Sequence, residues 1–323
     1  MAHAERPEEF AESEQPEQTG QPEQTGQPEQ PEESSVAADV RRFWRSLGLP
    51  GLIDVHTHFM PHRLLDRIRA YFDAAGPLIG REWPIRYRQD EAERLELLRD
   101  YGVLAFTSLA YPHKPGMAES LNAWTADFAA RTPGCLHSAT FFPEPEAARY
   151  VPAALADGAR VFKAHVQVGD YDPADPLLDP VWGALADAGV PVVVHCASGP
   201  VATRFTGPAP MERVLARYPA LRAVIAHFGL PEYVEFLDLA ERYDGVLLDT
   251  TMAFTDFFGE VELSDRERKR IAGIEERILF GSDFPNIPYP YSVALESLAR
   301  LDFGDDWLRA VCYGNAARIF GLS

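Results

Sequence analysis

From Gly51 onward the chain alternates short runs of β-branched, aliphatic and aromatic residues with longer stretches whose apolar positions recur every three or four residues. That alternation is the rhythm of parallel βαβ units. Eight runs read as strands: Leu52–His58, Val103–Ala110, Leu136–Pro143, Ala159–Val166, Val190–Cys196, Leu221–His227, Gly245–Thr250 and Arg277–Asp283. Between them, Pro180–Ala188, Met211–Tyr218 and Pro231–Tyr243 place Leu, Val and Phe on one helical face and charged residues on the other, as crossover helices do. Eight such units in residues 51–323 predict an α/β fold, the (β/α)8 TIM barrel, which typically takes about 250 residues. The insertion Pro61–Tyr101 after the first run is expected to add helices over the barrel mouth.

The N-terminal segment breaks this pattern. Residues 15–30 read QPEQTG QPEQTG QPEQ, and residues 1–35 hold ten Glu against a single Arg. With so little to bury, residues 1–35 are expected to be a disordered Glu/Pro/Gln-rich tail, with the barrel domain spanning 36–323. VAADVRRFWRSLG then reads as a lead-in helix ending at Gly48. The net charge of −19, with no basic stripe, argues against a phosphate-backbone partner. The three cysteines, Cys135, Cys196 and Cys312, form no CxxC. A reducing compartment suits them. The start MAHAERPEEF lacks a secretory signal, and no apolar run approaches the ~18 residues of a membrane span, so the expected location is cytoplasmic. The expected partner is a small-molecule substrate, with neither nucleic acid nor membrane; oligomeric state is open, a homodimer included.

In a TIM barrel the chemistry sits at the carboxyl ends of the strands. The first run ends in Asp54-Val55-His56-Thr57-His58, the fifth in His195, the sixth in His227 and the eighth in Ser282-Asp283. Alternation along a strand would point His56 and His58 to one side, where both reach one ion. Neutral imidazoles with a carboxylate suit zinc, and also manganese or iron. Lys163 and His165 share a face on the fourth run. A carboxylated lysine there would bridge a second metal, but one divalent ion, zinc, is the expected cofactor. Arg204 is positioned to clamp a substrate carboxylate. Tyr111 and His113 are placed to line the pocket, and Phe59 and Phe284 to supply apolar walls. Cys196 should face away from the barrel interior.

The segments DVHTHF, VVVHCASG, AVIAHFG and ILFGSDFP, in this order, with GNAARIFGL near the C-terminus, resemble the amidohydrolase-related branch of the amidohydrolase superfamily. The resemblance implies metal ligands at His56, His58, His195 and Asp283, and a polarising histidine at His227. That branch includes hydrolases, lactonases and non-oxidative decarboxylases similar to aminocarboxymuconate-semialdehyde decarboxylase. The expected activity is hydrolysis of a small amide or lactone by a metal-activated water, with Asp283 as general base and His227 stabilising charge on the substrate oxygen. The alternative is non-oxidative decarboxylation of an aromatic or unsaturated acid at the same residues.

Overall fold

The computed structural model describes residues 31–259 and 261–322, and the repeat segment lies outside them. The lead-in helix, Glu33–Ser46, begins inside the stretch assigned to the tail. Its first residue is anchored: the Glu33 carboxylate accepts hydrogen bonds from Arg86 Nε at 2.7 Å and from the Tyr101 hydroxyl at 2.6 Å. These contacts are distant in sequence, so periodicity near Val36 carries no sign of them.

The eight runs form the strands of a barrel: β1 Leu52–Asp54, β2 Val103–Thr107, β3 in two segments Cys135–Leu136 and Ser138–Thr140, β4 Val161–His165, β5 Val192–His195, β6 Ala223–Ile225, β7 Val246–Asp249 and β8 Ile278–Leu279. Every pairing is parallel and joins sequence neighbours. The ring closes where the segment after β8 runs beside the segment after β1. Val55 N donates to Phe280 O at 3.0 Å, His58 N donates to Phe284 O at 2.7 Å, and Thr57 and Phe284 form a parallel bridge.

Alternation sorts the side chains into two cores. Ile53, Ala105, Leu136, Val161, Val193, Val224, Leu247 and Leu279 fill the barrel interior, where Ala316 and Phe320 of the C-terminal helix Asn315–Phe320 join them. Leu52, Phe162, Val194, Ile225, Leu248 and Phe280 point outward into the layer beneath the crossover helices. Cys196 belongs to this outer layer, as its parity requires, and burial pushes its thiol up to about 12, so it packs rather than reacts. Helices Asp179–Ala188, Pro208–Arg217 and Tyr233–Arg242 occupy the three stretches with helical periodicity.

Between β1 and β2 the insertion supplies helix His62–Ala74, a one-turn helix Gly76–Ile79, and helix Glu91–Tyr101, the last started by an Asp90–Glu93 capping box. Among the described residues, no helix is long and apolar enough to cross a membrane.

Candidate active site

The histidines of the DVHTH segment do not converge by strand alternation. β1 ends at Asp54, the chain bends at Val55, and two buried aspartates fix the segment that follows. Asp54 accepts from His56 N at 3.2 Å, Ser282 N at 3.1 Å, Ser282 Oγ at 2.6 Å and the Tyr291 hydroxyl at 2.8 Å. It thereby ties the backbone carrying His56 to the backbone carrying Asp283. Burial pushes Asp54 up to about 7 despite these donors, so each donor offsets a real desolvation cost. Tyr291→Phe should therefore destabilise the fold by about 1–3 kcal/mol, read as a fall of a few degrees in melting temperature. An unchanged melting temperature would show that this tie is dispensable.

Asp249, at the end of β7, fixes the other side. Its Oδ1 accepts from His227 N at 2.9 Å and Thr251 N at 3.1 Å, and its Oδ2 accepts from His56 Nδ1 at 2.8 Å. His58 Nδ1 donates to Leu109 O at 2.7 Å, an oxygen that can only accept. Both imidazoles thus carry their proton on Nδ1 and aim the Nε2 lone pair at the same place. Asp283 meets them there, its Oδ1 at 2.9 Å from His58 Nε2 and 3.5 Å from His56 Nε2. Two lone-pair donors facing a carboxylate oxygen need a proton or a cation between them. His56, His58 and Asp283 form a buried group whose ligand atoms all lie within 4.8 Å of one another, so the donor set fits a divalent ion with anchored imidazoles.

The electrostatics agree with that use. Burial raises the Asp283 carboxyl, but the His58 contact and the electrostatic attraction of the surrounding imidazoles of His58, His56 and His227 more than offset it, holding the group well below the usual carboxylate range. Burial, reinforced by Lys163, drives His56 well below its ordinary value, so its imidazole is neutral. Asp283 has φ +72° and His227 φ +55°, both just beyond their strands, where the backbone turns sharply to bring side chains over the barrel mouth.

Around the three-residue group stand further basic side chains. Lys163, fully buried on β4, donates from Nζ to His56 Nε2 at 3.1 Å, and burial lowers its amine to about 8. The structure thus gives Lys163 the place of a charged partner to a ligand, and among the described residues a single His/carboxylate group is close enough to hold a metal. His195 is not in that group. Its Nε2 donates to Gly199 O at 3.0 Å and its ring stacks on His165 with centroids 4.2 Å apart, leaving Nδ1 as its remaining donor atom. His227 Nδ1 donates to Thr251 O at 3.1 Å. A neutral His227 therefore offers a lone pair at Nε2, not the proton expected for stabilising a substrate oxygen.

Above this group opens a cavity of about 810 Å³ lined by Tyr111, His113, Lys163, His165, His195 and His227 among others. Tyr111 is buried with its ring edge-on to His58, whereas His113 is exposed at the rim, and both line the pocket. Phe59 and Phe284 do not. Both are fully buried behind the ligands, Phe59 stacked on Phe128 and Phe284 against Tyr87. Arg204 also misses the cavity; it is exposed and lies over the Phe205 ring at 4.4 Å. Sequence reasoning missed Asp249, His165 as a pocket residue, and Trp83 and Asn286, which line the cavity from opposite ends of the chain. For His165 a signal existed, its shared face with Lys163. Asn286 gave none, although its buried Oδ1 faces no protein donor.

The profile of the amidohydrolase family matches residues 53–322. The chain belongs to this family. It is 25% identical over 317 residues to the 6-methylsalicylic acid decarboxylase of Penicillium expansum, spanning 83% of this chain and 95% of that protein. Among solved structures it resembles the 5-carboxyvanillate decarboxylase of Novosphingobium aromaticivorans, determined with manganese and 4-hydroxy-3-methoxy-5-nitrobenzoic acid, at TM-score 0.57 and 17% identity over 85% of this chain and 97% of that one. It also resembles a 2,6-dihydroxybenzoate decarboxylase complexed with 2,6-dihydroxybenzoate, at TM-score 0.58 and 17% identity over 85% and 99% of the two chains. These relatives overturn the expectation of a hydrolase acting on an amide or lactone. Metal, histidines and carboxylate are common to both chemistries, so the ligand pattern alone could not separate them, and decarboxylation is the reading the relatives favour.

Proposed function

We propose that this protein is a metal-dependent, non-oxidative decarboxylase of a small aromatic acid carrying a hydroxyl beside the carboxylate. The observation that carries the reading is the convergence of His56, His58 and Asp283 beneath a cavity with Lys163 and His165 at its floor, in a chain resembling a 6-methylsalicylic acid decarboxylase along 95% of that protein. His56, His58 and Asp283 would hold a divalent ion, with His195 completing the set through Nδ1. Zinc suits such donors, and manganese, present in the 5-carboxyvanillate decarboxylase, suits them equally. Bound there, the ion supplies Lewis-acid attraction for the substrate's carboxylate and neighbouring oxygen.

The protein's own groups manage charge and protons. Lys163 brings a buried positive charge to the floor. Val168 N donates to His165 Nδ1 at 3.3 Å, so a neutral His165 carries its proton on Nε2 and can donate it in a hydrogen bond to the substrate carboxylate. On binding, the substrate hydroxyl gives its proton to Asp283, which places phenolate charge on the ring. That proton then passes from Asp283 to the ring carbon as the bond to the carboxylate breaks and carbon dioxide leaves. His227, with Nδ1 turned to Thr251 O, would have its Nε2 lone pair free to accept a hydrogen bond from the protonated carboxyl. The three cysteines are free, as suits a protein of the cytoplasm.

Turnover of a panel of 2-hydroxybenzoates in deuterium oxide should release carbon dioxide and leave one deuterium on the ring carbon that bore the carboxylate. Label from oxygen-18 water in a product carboxylate, with no carbon dioxide evolved from any acid, would remove the decarboxylase reading.

A further inference from the structure

The cavity changes character with depth. Its floor is ionic and buried, whereas helix His62–Ala74 contributes Leu64, Ile68 and Phe72 to its outer part, Trp83 extends this wall, and Phe258 and Val261 come from the segment after β7. The wall is continuous: Phe72 and Trp83 have ring centroids 4.6 Å apart, and Trp83 and Phe258 5.5 Å. At the mouth two large apolar side chains stand open to solvent, Tyr71 at 50% and Phe258 at 45%. Folding gains little from leaving them there, and exposed apolar surface continuous with a pocket marks a ligand site. Size points the same way. Pockets of about 300–1,000 Å³ suit drug-sized ligands, and at about 810 Å³ this one exceeds what a monocyclic benzoate fills. An acid gripped by its carboxylate at the floor directs the far edge of its ring toward the apolar wall.

Resting on the decarboxylase reading, we propose that the substrate bears an extended apolar substituent on the ring edge remote from its carboxylate, seated between helix His62–Ala74 and the segment containing Phe258. The helix is amphipathic for this purpose: Leu65 turns into the protein, while Leu64 and Ile68 line the cavity. The polar side chains at this level, Arg67 and His113, are exposed at the rim and leave the wall itself apolar.

The experiment is a binding titration of 2-hydroxybenzoates carrying 4-n-alkyl groups from methyl to hexyl, followed by tryptophan fluorescence, with carbon dioxide release measured on the same series. Each added methylene should tighten Kd by about fourfold until the chamber is full, and both Leu64→Ala and Phe258→Ala should flatten the slope of log Kd against chain length. A Kd independent of chain length, with carbon dioxide still released from the short acids, would overturn the chamber while leaving the decarboxylase intact. A steep slope with no carbon dioxide from any member would support the chamber and count against the decarboxylase. A full slope retained in both variants would overturn the proposed seat.

Discussion

Asp283→Asn is expected to lower carbon dioxide release by about 10²–10⁴-fold, the range spanned by loss of a positioned acid or base. The substitution is conformationally mild. Asp283 has φ +72°, and asparagine is among the side chains that tolerate the left-handed region best. The backbone hydrogen bonds from Asp283 N to His56 O at 2.9 Å and from Asn286 N to Asp283 O at 2.8 Å involve no side-chain atom and should persist. What changes is the proton chemistry: an amide cannot take the phenolic proton and return it to carbon. Because Asp283 is also a candidate metal ligand, metal content must be measured beside the rate. A variant loaded with metal and still inactive would isolate the proton-transfer role. A variant retaining more than a tenth of wild-type turnover would show that another group carries the proton, His227 being the nearest alternative.

The fold was legible because its signal is local and repeated. Each hydrophobic run became a barrel strand, and the parity of Cys196 and Lys163 followed from alternation within regular strands. Where the backbone leaves the strand, parity loses its hold. His56 and His58 converge because Asp54 and Asp249 pin their segment, and both pins are aspartates that a sequence presents like any other. Asp249 follows Val246-Leu247-Leu248, so its run reads as an ordinary buried strand with a polar end. Adjacency to ligands suggests pocket walls at Phe59 and Phe284, yet both rings pack into the core behind the site. Charge in a loop suggests a carboxylate clamp at Arg204, yet a loop arginine has solvent and a neighbouring ring as easier partners. The reaction class was illegible for a different reason. A neutral imidazole pair and a carboxylate on one ion can hydrolyse or decarboxylate, and the relatives rather than the ligand pattern favour the second.

Asp249→Asn should weaken divalent metal binding by about 10–100-fold without unfolding the barrel. The argument is one of tautomers. In the wild type, Asp249 Oδ2 accepts the Nδ1 proton of His56 at 2.8 Å, and Lys163 Nζ donates to His56 Nε2 at 3.1 Å, so the ring keeps its lone pair on Nε2. The asparagine amide cannot choose its orientation freely, because Asp249 Oδ1 already accepts from two backbone groups, His227 N at 2.9 Å and Thr251 N at 3.1 Å. Its oxygen must stay on that side, which turns its NH2 toward His56 Nδ1. Facing a donor, Nδ1 must become the acceptor, and the proton moves to Nε2, where it blocks the atom that would hold the ion and opposes the Lys163 ammonium. His56→Ala should strip the ion more completely, since it deletes the ligand itself. Elemental analysis of wild type should find about one divalent ion per chain, and equilibrium titration of the apo proteins should rank wild type above Asp249→Asn and Asp249→Asn above His56→Ala. Unaltered affinity in Asp249→Asn would mean that His56 is not oriented by this carboxylate. Two ions per chain, with one lost in Lys163→Ala, would instead make Lys163 the bridge of a binuclear site.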